Sequence, residues 1–473
     1  MSISSICHRL SLVPLLALLM SCAALPGHCS LRLSAGQDSS LFTLHSSLPP
    51  SGKGSVLRAD SVMVAAMREE GVTFSHDNTI TLLMNGQQKF DDMFAAIRQA
   101  RHSIHLEYFN FRNDSIASLL FDLLAEKVKQ GVKVRALYDA FGNSSNNRPL
   151  RKSHVSALRQ RGIDIYEFDP IRFPWVNHIF GRDHRKIVII DGRIAYTGGM
   201  NVADYYIKGT PEVGDWRDMH CRIEGTEVNT LQTIFRRAWY YVTDELFNGD
   251  EYFQGTEYAR QLRAHSTLPA HVPEASASDA DSSLFTLHSS LSMAGIVNRE
   301  PYRTPRAVRQ FYISAIDAAN DTIRIVNPYF SLIPSVKRAL KRALKRGVEV
   351  QLMLAEPSDI PLTPDCAFYN AHKLQKRGCK VWIYQPGFHH TKIITVDGQF
   401  CTVGSTNLDS RSLRCDYEEN VIIVDSRVTA QLDRMFNRDK ADSFVLTEQK
   451  WKEWRTPWQR FRSWFANILS PFL

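Results

Sequence analysis

Cysteine is scarce: eight in 473 residues, too few and too scattered for the disulfide framework of a small secreted scaffold. Glycine (24) and proline (20) are modest in number, which excludes collagen-like and low-complexity chains. No apolar run reaches the roughly 18 to 20 residues a spanning helix needs, so a polytopic membrane protein is excluded. Acidic excess is absent too: Lys and Arg total 57 against 49 Asp and Glu, a net charge of +8. That balance suits an anionic partner, nucleic acid or a phospholipid surface, without choosing between them. What is present, 44% hydrophobic and 22% charged residues, is the makeup of an ordinary globular chain, and the length predicts about three compact units at roughly 150 residues each.

His8 and Arg9 precede the apolar run Leu10 to Met20, which has the length of a signal-peptide core. The run ends in Leu19-Met20-Ser21-Cys22, similar to a bacterial lipobox, and makes Cys22 a candidate for acylation. Ordinary cleavage nearby, or an uncleaved anchor, is the alternative. Each outcome predicts a protein working outside the cytoplasm, in the bacterial envelope, where disulfides among Cys29, Cys221, Cys366, Cys379, Cys401 and Cys415 are permitted but not demanded by spacing. Residues 1–21 read as the signal and 22–73 as a Ser- and Leu-rich tether. A similar stretch, 263–296, reads as a linker, and one string occurs in both: Asp38 to Leu48 is repeated at Asp281 to Leu291. It suggests no chemistry.

Between these stretches one unit occurs twice. Ser103-Ile104-His105-Leu106 parallels Thr322-Ile323-Arg324-Ile325, and Gly131-Val132-Lys133-Val134 parallels Gly347-Val348-Glu349-Val350. Each copy alternates an amphipathic helix with a short strand. The fold class predicted is therefore α/β, with two tandem α/β/α domains, 74–262 and 297–448, each carrying a mixed, largely buried sheet.

Each copy ends in the same constellation. His184, Lys186 and Asp191 are followed by Gly198-Gly199-Met200-Asn201; His390, Lys392 and Asp397 are followed by Gly404-Ser405-Thr406-Asn407. In both, Lys lies two positions after His, Asp seven and Asn seventeen. A single such pattern is a weak signal; two at the ends of two repeats are not accidental. On a strand, residues two apart share a face, so each His projects with its Lys. Asp191-Gly192 and Asp397-Gly398 read as tight turns, which leaves open whether these aspartates shape a turn or take part in chemistry. Two lysines and two asparagines (Asn201, Asn407) converging on one spot make an anion site that needs no metal and no cofactor. No set of His, Cys, Asp or Glu has convincing metal-ligand spacing.

This double pattern resembles the phospholipase D superfamily over roughly Ser75 to Asp425. Trp216-Arg217-Asp218, Ile194 to Asn201, Leu408 to Leu413 and the terminal Leu469-Ser470-Pro471-Phe472-Leu473 narrow the resemblance to bacterial cardiolipin synthases. The resemblance implies a pseudo-two-fold relation between the domains. It implies phosphodiester exchange through a phosphohistidine, with His184 as nucleophile and the other histidine as proton donor. It assigns Asp218 and Glu418 as acids orienting the two imidazoles, and places Gly198 and Ser405 beside the phosphate-binding asparagines. The substrate implied is phosphatidylglycerol at a membrane surface, one molecule passing its phosphatidyl group to another. Hydrolysis of phospholipid by the same residues is the alternative, and a superfamily nuclease a more distant one; no nucleic-acid partner is expected. The family usually begins with two transmembrane helices, where this chain has one short apolar run.

Two features suit a membrane. About ten residues are inserted before His184, carrying Ile171, Phe173, Trp175, Ile179 and Phe180 with Arg172 and Arg182; a loop folded over the core is the rival reading. In the tail, 449–473, Thr456-Pro457-Trp458-Gln459 predicts a capped helix start. Trp454, Trp458, Phe461, Phe465 and Ile468 then recur at helical spacing, either for an interface or for packing on the domains.

Overall fold

Seventeen strands among the described residues carry the architecture. The computed structural model describes residues 58–171, 180–255, 291–360 and 362–470. The first copy supplies β1 (Ser75–Leu83), β2 (Ser103–Tyr108), β3 (Lys133–Asp139), β4 (Asp164–Phe168), β5 (Lys186–Ile190), β6 (Ile194–Gly198), β7 (Asp215–Arg217) and β8 (His220–Glu224). The second supplies β9 (Ser292–Arg299), β10 (Thr322–Val326), β11 (Glu349–Ala355), β12 (Lys380–Tyr384), β13 (Gly387–His389), β14 (Ile393–Val396), β15 (Phe400–Gly404), β16 (Glu418–Val424) and β17 (Ser443–Val445).

Fifteen of these strands form one continuous sheet, in the order β17-β12-β11-β10-β14-β15-β16-β9-β1-β8-β6-β5-β2-β3-β4. Read outward from the β1–β9 junction, both sides run through seven equivalent strands, the order a two-fold relation requires, and β17 adds an eighth at the second half's edge. The halves are fused rather than merely packed: β1 and β9 pair antiparallel, with Ser75 opposite Ala294 and Asn78 opposite Ser292. Within each half the strands following the crossover helices pair in parallel, and the motif strand pairs antiparallel on both sides. The two remaining strands, β7 and β13, pair with each other across the halves.

Strand alternation explains the cores. In β5, Val188 and Ile190 face a cluster belonging to the first half, while Ile187 and Ile189 face a cluster shared by both. The helices Glu227–Thr243 and Ser426–Asp439 cover that shared face through Val228, Leu231, Phe235, Val428, Leu432 and Met435. A strand buried on both faces must be apolar throughout, as Lys186-Ile187-Val188-Ile189-Ile190 is after its first residue.

Several expectations meet the structure differently. The stretch 22–73 is not tether throughout: Ala59–Glu69 is a helix whose Ala59, Met63, Val64 and Met67 are buried in the second half's core against Val308, Phe311 and Tyr312. Met63, Val64 and Met67 each contribute about 1.5–3 kcal/mol by this burial. Likewise β9 begins inside the 263–296 stretch. Arg182 is fully buried and pairs with Asp139 at 2.8 Å, so it belongs to the fold and not to a lipid-facing loop. Cys221, Cys366, Cys379, Cys401 and Cys415 are all free thiols. The signal segment, Cys22, Cys29, Phe173, Trp175, Ile179 and both copies of the repeated string up to Ser290 lie outside the described residues. Among the described residues no helix is long and apolar enough to cross a membrane.

The tail helix, Pro457–Ile468, has the expected capping box: the Thr456 hydroxyl accepts from the Gln459 amide, and the Gln459 side chain accepts from the Thr456 amide. Its buried face is the small one, Ser463 and Ala466. Arg455 and Arg462 both pair with Asp365. Trp454 joins the core against Phe368 and Phe444, whereas Trp458, Phe461, Trp464, Phe465 and Ile468 are exposed.

Candidate active site

The two motifs meet where the halves are cross-tied. The backbone before each motif strand bonds to the segment that leads to the other half's acid. His184 N donates to Tyr417 O at 3.0 Å, and Tyr417 N donates to Arg182 O at 2.8 Å. In the other half, His390 N donates to Arg217 O at 2.7 Å, continuing the β7–β13 pairing. Each tie carries the following acid onto the opposite histidine. His184 Nδ1 donates to Glu418 Oε1 at 3.0 Å, and His390 Nδ1 donates to Asp218 Oδ2 at 2.7 Å.

The lysines converge with them. Lys392 Nζ lies 2.9 and 3.1 Å from the two ring nitrogens of His390 and 4.0 Å from Asp218 Oδ2. Lys186 Nζ donates to the carbonyl of its own motif histidine. Burial lowers the pKa of Lys392 to about 8, with Lys186 adding repulsion across the halves. Burial and Lys392 also lower His390 to about 4, against the pull of Asp218. His184 is lowered by burial and by Lys186, against Glu418. Burial alone raises Asp218 and Glu418, but Lys392 and His390 outweigh it at Asp218, and His184 and Lys186 at Glu418, so both stay ionised. At rest, then, two neutral imidazoles each present Nδ1–H to a carboxylate, leaving Nε2 with its lone pair.

Their walls differ. Among the described residues one ring, Phe109, stacks edge-on to His184, with centroids 5.0 Å apart, whereas Trp216, Tyr329 and Phe388 surround His390 at 5.6, 5.8 and 5.3 Å. The side chain of His184 is 16% exposed against 8% for His390.

Ser405 donates to Glu418 Oε2, gripping the acid that holds His184. Gly199 clears room for the other acid, since a Cβ there would sit 2.2 Å from Asp218 Oδ1, while Gly198 makes room for the next two residues, a Cβ there sitting 2.6 Å from Met219 O and from His220 Nδ1. Asn201 is buried, its amide oxygen accepting from Asn110 N at 3.4 Å. Asn407 is 4% exposed, and its amide oxygen has no partner among the described residues.

Asp191 and Asp397 are not brought to this spot. Asp191 accepts the backbone N–H groups of Arg101, His102 and Ser103 at 2.8, 2.7 and 2.9 Å. Asp397 accepts those of Asn320, Asp321 and Thr322 at 2.8, 2.9 and 2.8 Å. Both sit in the left-handed region, φ 53° and 52°, at the end of the motif strand opposite the histidine. They lock the turn to the start of the neighbouring strand.

Two buried residues went unnoticed in the sequence. Lys89 donates to the carbonyls of Met200 and Asn201 at 3.1 and 2.9 Å, pinning the loop that carries Asn201. Its signal was a lysine in register with Met93 and Ile97 on the apolar stripe of helix Gly86–Gln99. Glu419 accepts from Thr197 at 2.5 Å and from the Ser405 hydroxyl at 3.2 Å. Burial raises its pKa, Thr197 and Lys186 opposing. Among the described residues no group of three or more His, Cys, Asp or Glu is arranged to hold a metal.

The family described as "Cardiolipin synthase, PLD-like domain" matches residues 93–239 and 312–440, spanning both motifs. The probable cardiolipin synthase YwiE of Bacillus subtilis is 33% identical over 410 residues, 86% of this chain and 75% of that protein. The cardiolipin synthase of Oceanobacillus iheyensis is 32% identical, covering 86% of this chain and 78% of its own. Among solved structures, the phosphatidylserine synthase of Haemophilus influenzae superposes with a TM-score of 0.61 at 14% identity, covering 87% of this chain and all of that one; this likeness speaks to fold alone. With the crossed histidine pairs at the seam of two fused halves, these matches show that the chain belongs to the cardiolipin synthase family of phospholipase D-like proteins and is a phosphatidyltransferase.

Proposed function

We propose that the enzyme transfers a phosphatidyl group from one phosphatidylglycerol to a second, releasing glycerol and forming cardiolipin. The observation that carries this reading is the crossed pairing, which sets two imidazoles and two lysines on one spot. His184, the more open imidazole and the resemblance's nucleophile, attacks phosphorus through Nε2 while the P–O bond to the leaving glycerol breaks. Before substrate arrives His390 is neutral; the incoming phosphodiester anion raises its affinity for a proton, and it takes one from solvent. His390 then gives that proton to the departing glycerol oxygen. In the return step His390 takes the proton from the primary hydroxyl of the second phosphatidylglycerol. That oxygen attacks phosphorus, and the N–P bond to His184 breaks.

Lys186 and Lys392 balance charge on the non-bridging oxygens. The free amide oxygen of Asn407 suits a hydroxyl of the glycerol group. Asp218 and Glu418 fix ring orientation and tautomer. Asp191, Asp397 and Lys89 serve the scaffold, and Ser405, Gly198 and Asn201 position their neighbours.

Membrane attachment is part of the proposal: acylated Cys22 anchors the chain at the bacterial envelope, outside the cytoplasm. The exposed aromatic face of the tail helix supports contact with lipid. Purified protein incubated with phosphatidylglycerol should yield cardiolipin and glycerol in equal amounts, and His184→Ala or His390→Ala should abolish both. Phosphatidic acid as main product would favour hydrolysis instead.

A further inference from the structure

Helix Pro334–Arg346 reads Pro-Ser-Val-Lys-Arg-Ala-Leu-Lys-Arg-Ala-Leu-Lys-Arg. Val336, Ala339, Leu340 and Ala343 are buried, which forces three basic pairs onto the remaining face. Part of that charge is neutralised, since Arg342 and Arg346 meet Asp317 at 2.5 and 3.7 Å. The rest is not. A cavity of about 390 Å³ is lined by Lys337, Arg338, Lys341 and Arg414, with Asn467 and Ser470 from the tail. Among the described residues no carboxylate lines it, and neither does any motif histidine or lysine. A smaller adjoining cavity of about 170 Å³ shares Lys337 and Lys341 and adds Lys373 and Arg377.

The tail helix is built into this basic surface. Lys337 Nζ donates to Asn370 Oδ1 at 2.8 Å, and Asn370 Nδ2 donates to Asn467 Oδ1 at 3.1 Å. Burial lowers the pKa of Lys337, and repulsion from Lys341, Arg377 and Lys373 adds to it. Next to Asn467 on the same helix stands Ile468, one of five exposed apolar side chains with Trp458, Phe461, Trp464 and Phe465. A concave, unneutralised basic site adjoins an exposed aromatic face. That combination fits a molecule with a phosphate at one end and hydrocarbon at the other.

We infer that this cavity binds the phosphate headgroup of an anionic phospholipid in the bilayer, while the aromatic face of the tail helix enters the acyl boundary. The site is separate from the phosphodiester chemistry. It rests on the reading that the enzyme works at a lipid surface, and it holds the protein there during turnover.

The test is co-sedimentation of the full-length chain carrying Cys22→Ser, which removes the acyl anchor, with phosphatidylcholine vesicles, with and without phosphatidylglycerol. Turnover does not disturb the comparison, because two phosphatidylglycerols and one cardiolipin carry the same charge. Arg338→Gln with Lys341→Gln should weaken partitioning onto the anionic vesicles about thirtyfold, at roughly fivefold per basic side chain near the surface. Arg342→Gln with Arg346→Gln removes equal charge from the same helix outside the cavity, and should weaken it less than about threefold. Equal losses in the two double variants would mean diffuse attraction and overturn the site, as would no loss in the first. Cardiolipin formation from detergent-dispersed phosphatidylglycerol should be unchanged in both. Absence of that turnover in the unaltered protein speaks against the transferase reading alone, since partitioning is read without it.

Discussion

Glu418 accepts a hydrogen bond from His184 at 3.0 Å across 234 positions of sequence, while Asp218, at the equivalent place in the first half, holds His390. Each acid serves the other half's histidine, so neither half contains a complete acid–imidazole pair. Asp218→Asn and Glu418→Gln should each keep the hydrogen-bonding shape but lose the ionised acceptor that fixes the tautomer. Turnover should fall about 10²- to 10⁴-fold, with KM changing far less. Steady-state kinetics on phosphatidylglycerol in detergent measure both. A near-normal kcat in either variant would remove the orienting role.

The aspartates of the motif should behave in the opposite way. Asp191 holds three backbone amides, and losing those charge-assisted bonds should cost about 3 kcal/mol of stability. In Asp191→Ala, denaturant midpoints should drop while the folded fraction retains kcat within about threefold. A large loss of kcat without loss of stability would return this residue to the chemistry.

What was legible in the sequence was local. The spacing of His184 to Lys186 and Asn201, and its recurrence from His390, needed only a strand's period and a repeat. Glu418 and Asp218 were recognisable as site acids, but not which histidine each would hold, because that depends on the ties from Tyr417 to Arg182 and from Arg217 to His390. Those ties follow from fusing two sheets at β1 and β9. Helix Ala59–Glu69 was missed for the same reason: its apolar stripe is satisfied by Phe311 and Tyr312, some 250 residues on. The role of Asp191 stayed undecided because a turn aspartate and a catalytic one look alike until the groups that donate to them are seen.

Stability should depend on pH through His390. Its folded pKa is lowered to about 4 from 6.5, so between those values the unfolded chain binds more protons. The contribution is present above about pH 6.5 and is lost as pH falls toward 4, on the order of 3 kcal/mol. Urea unfolding at pH 7 and pH 5 should show the loss, and His390→Gln should flatten it. An unaltered slope in that variant would mean that other groups carry the dependence.

Charge on the phosphate is met by lysine, so chelation should be tolerated. With Lys186 and Lys392 converging on the histidines, activity in excess chelator should stay within about twofold of that without it. Lys186→Ala or Lys392→Ala should cost about 10²- to 10³-fold in kcat. Loss of activity in chelator, regained with a divalent cation, contradicts this assignment.

The tail offers a test of how the surface governs product. Deleting it outright is a blunt change: Asp365 would lose Arg462, and the surface under Ser463 and Ala466 would open. Replacing Trp458, Phe461 and Phe465 with Ser alters only exposed side chains, 66%, 50% and 43% accessible. Thermal stability should therefore change little. On phosphatidylglycerol vesicles, a tail that enters the interface brings the site against lipid, where water is scarce and a second lipid's glycerol is abundant. The triple variant should then release more phosphatidic acid per cardiolipin, while in detergent, where no bilayer orients the enzyme, its product ratio should match the unaltered protein. Thin-layer separation of products under both conditions decides the matter. An unchanged ratio on vesicles would mean that the aromatic face does not set the competition between water and lipid.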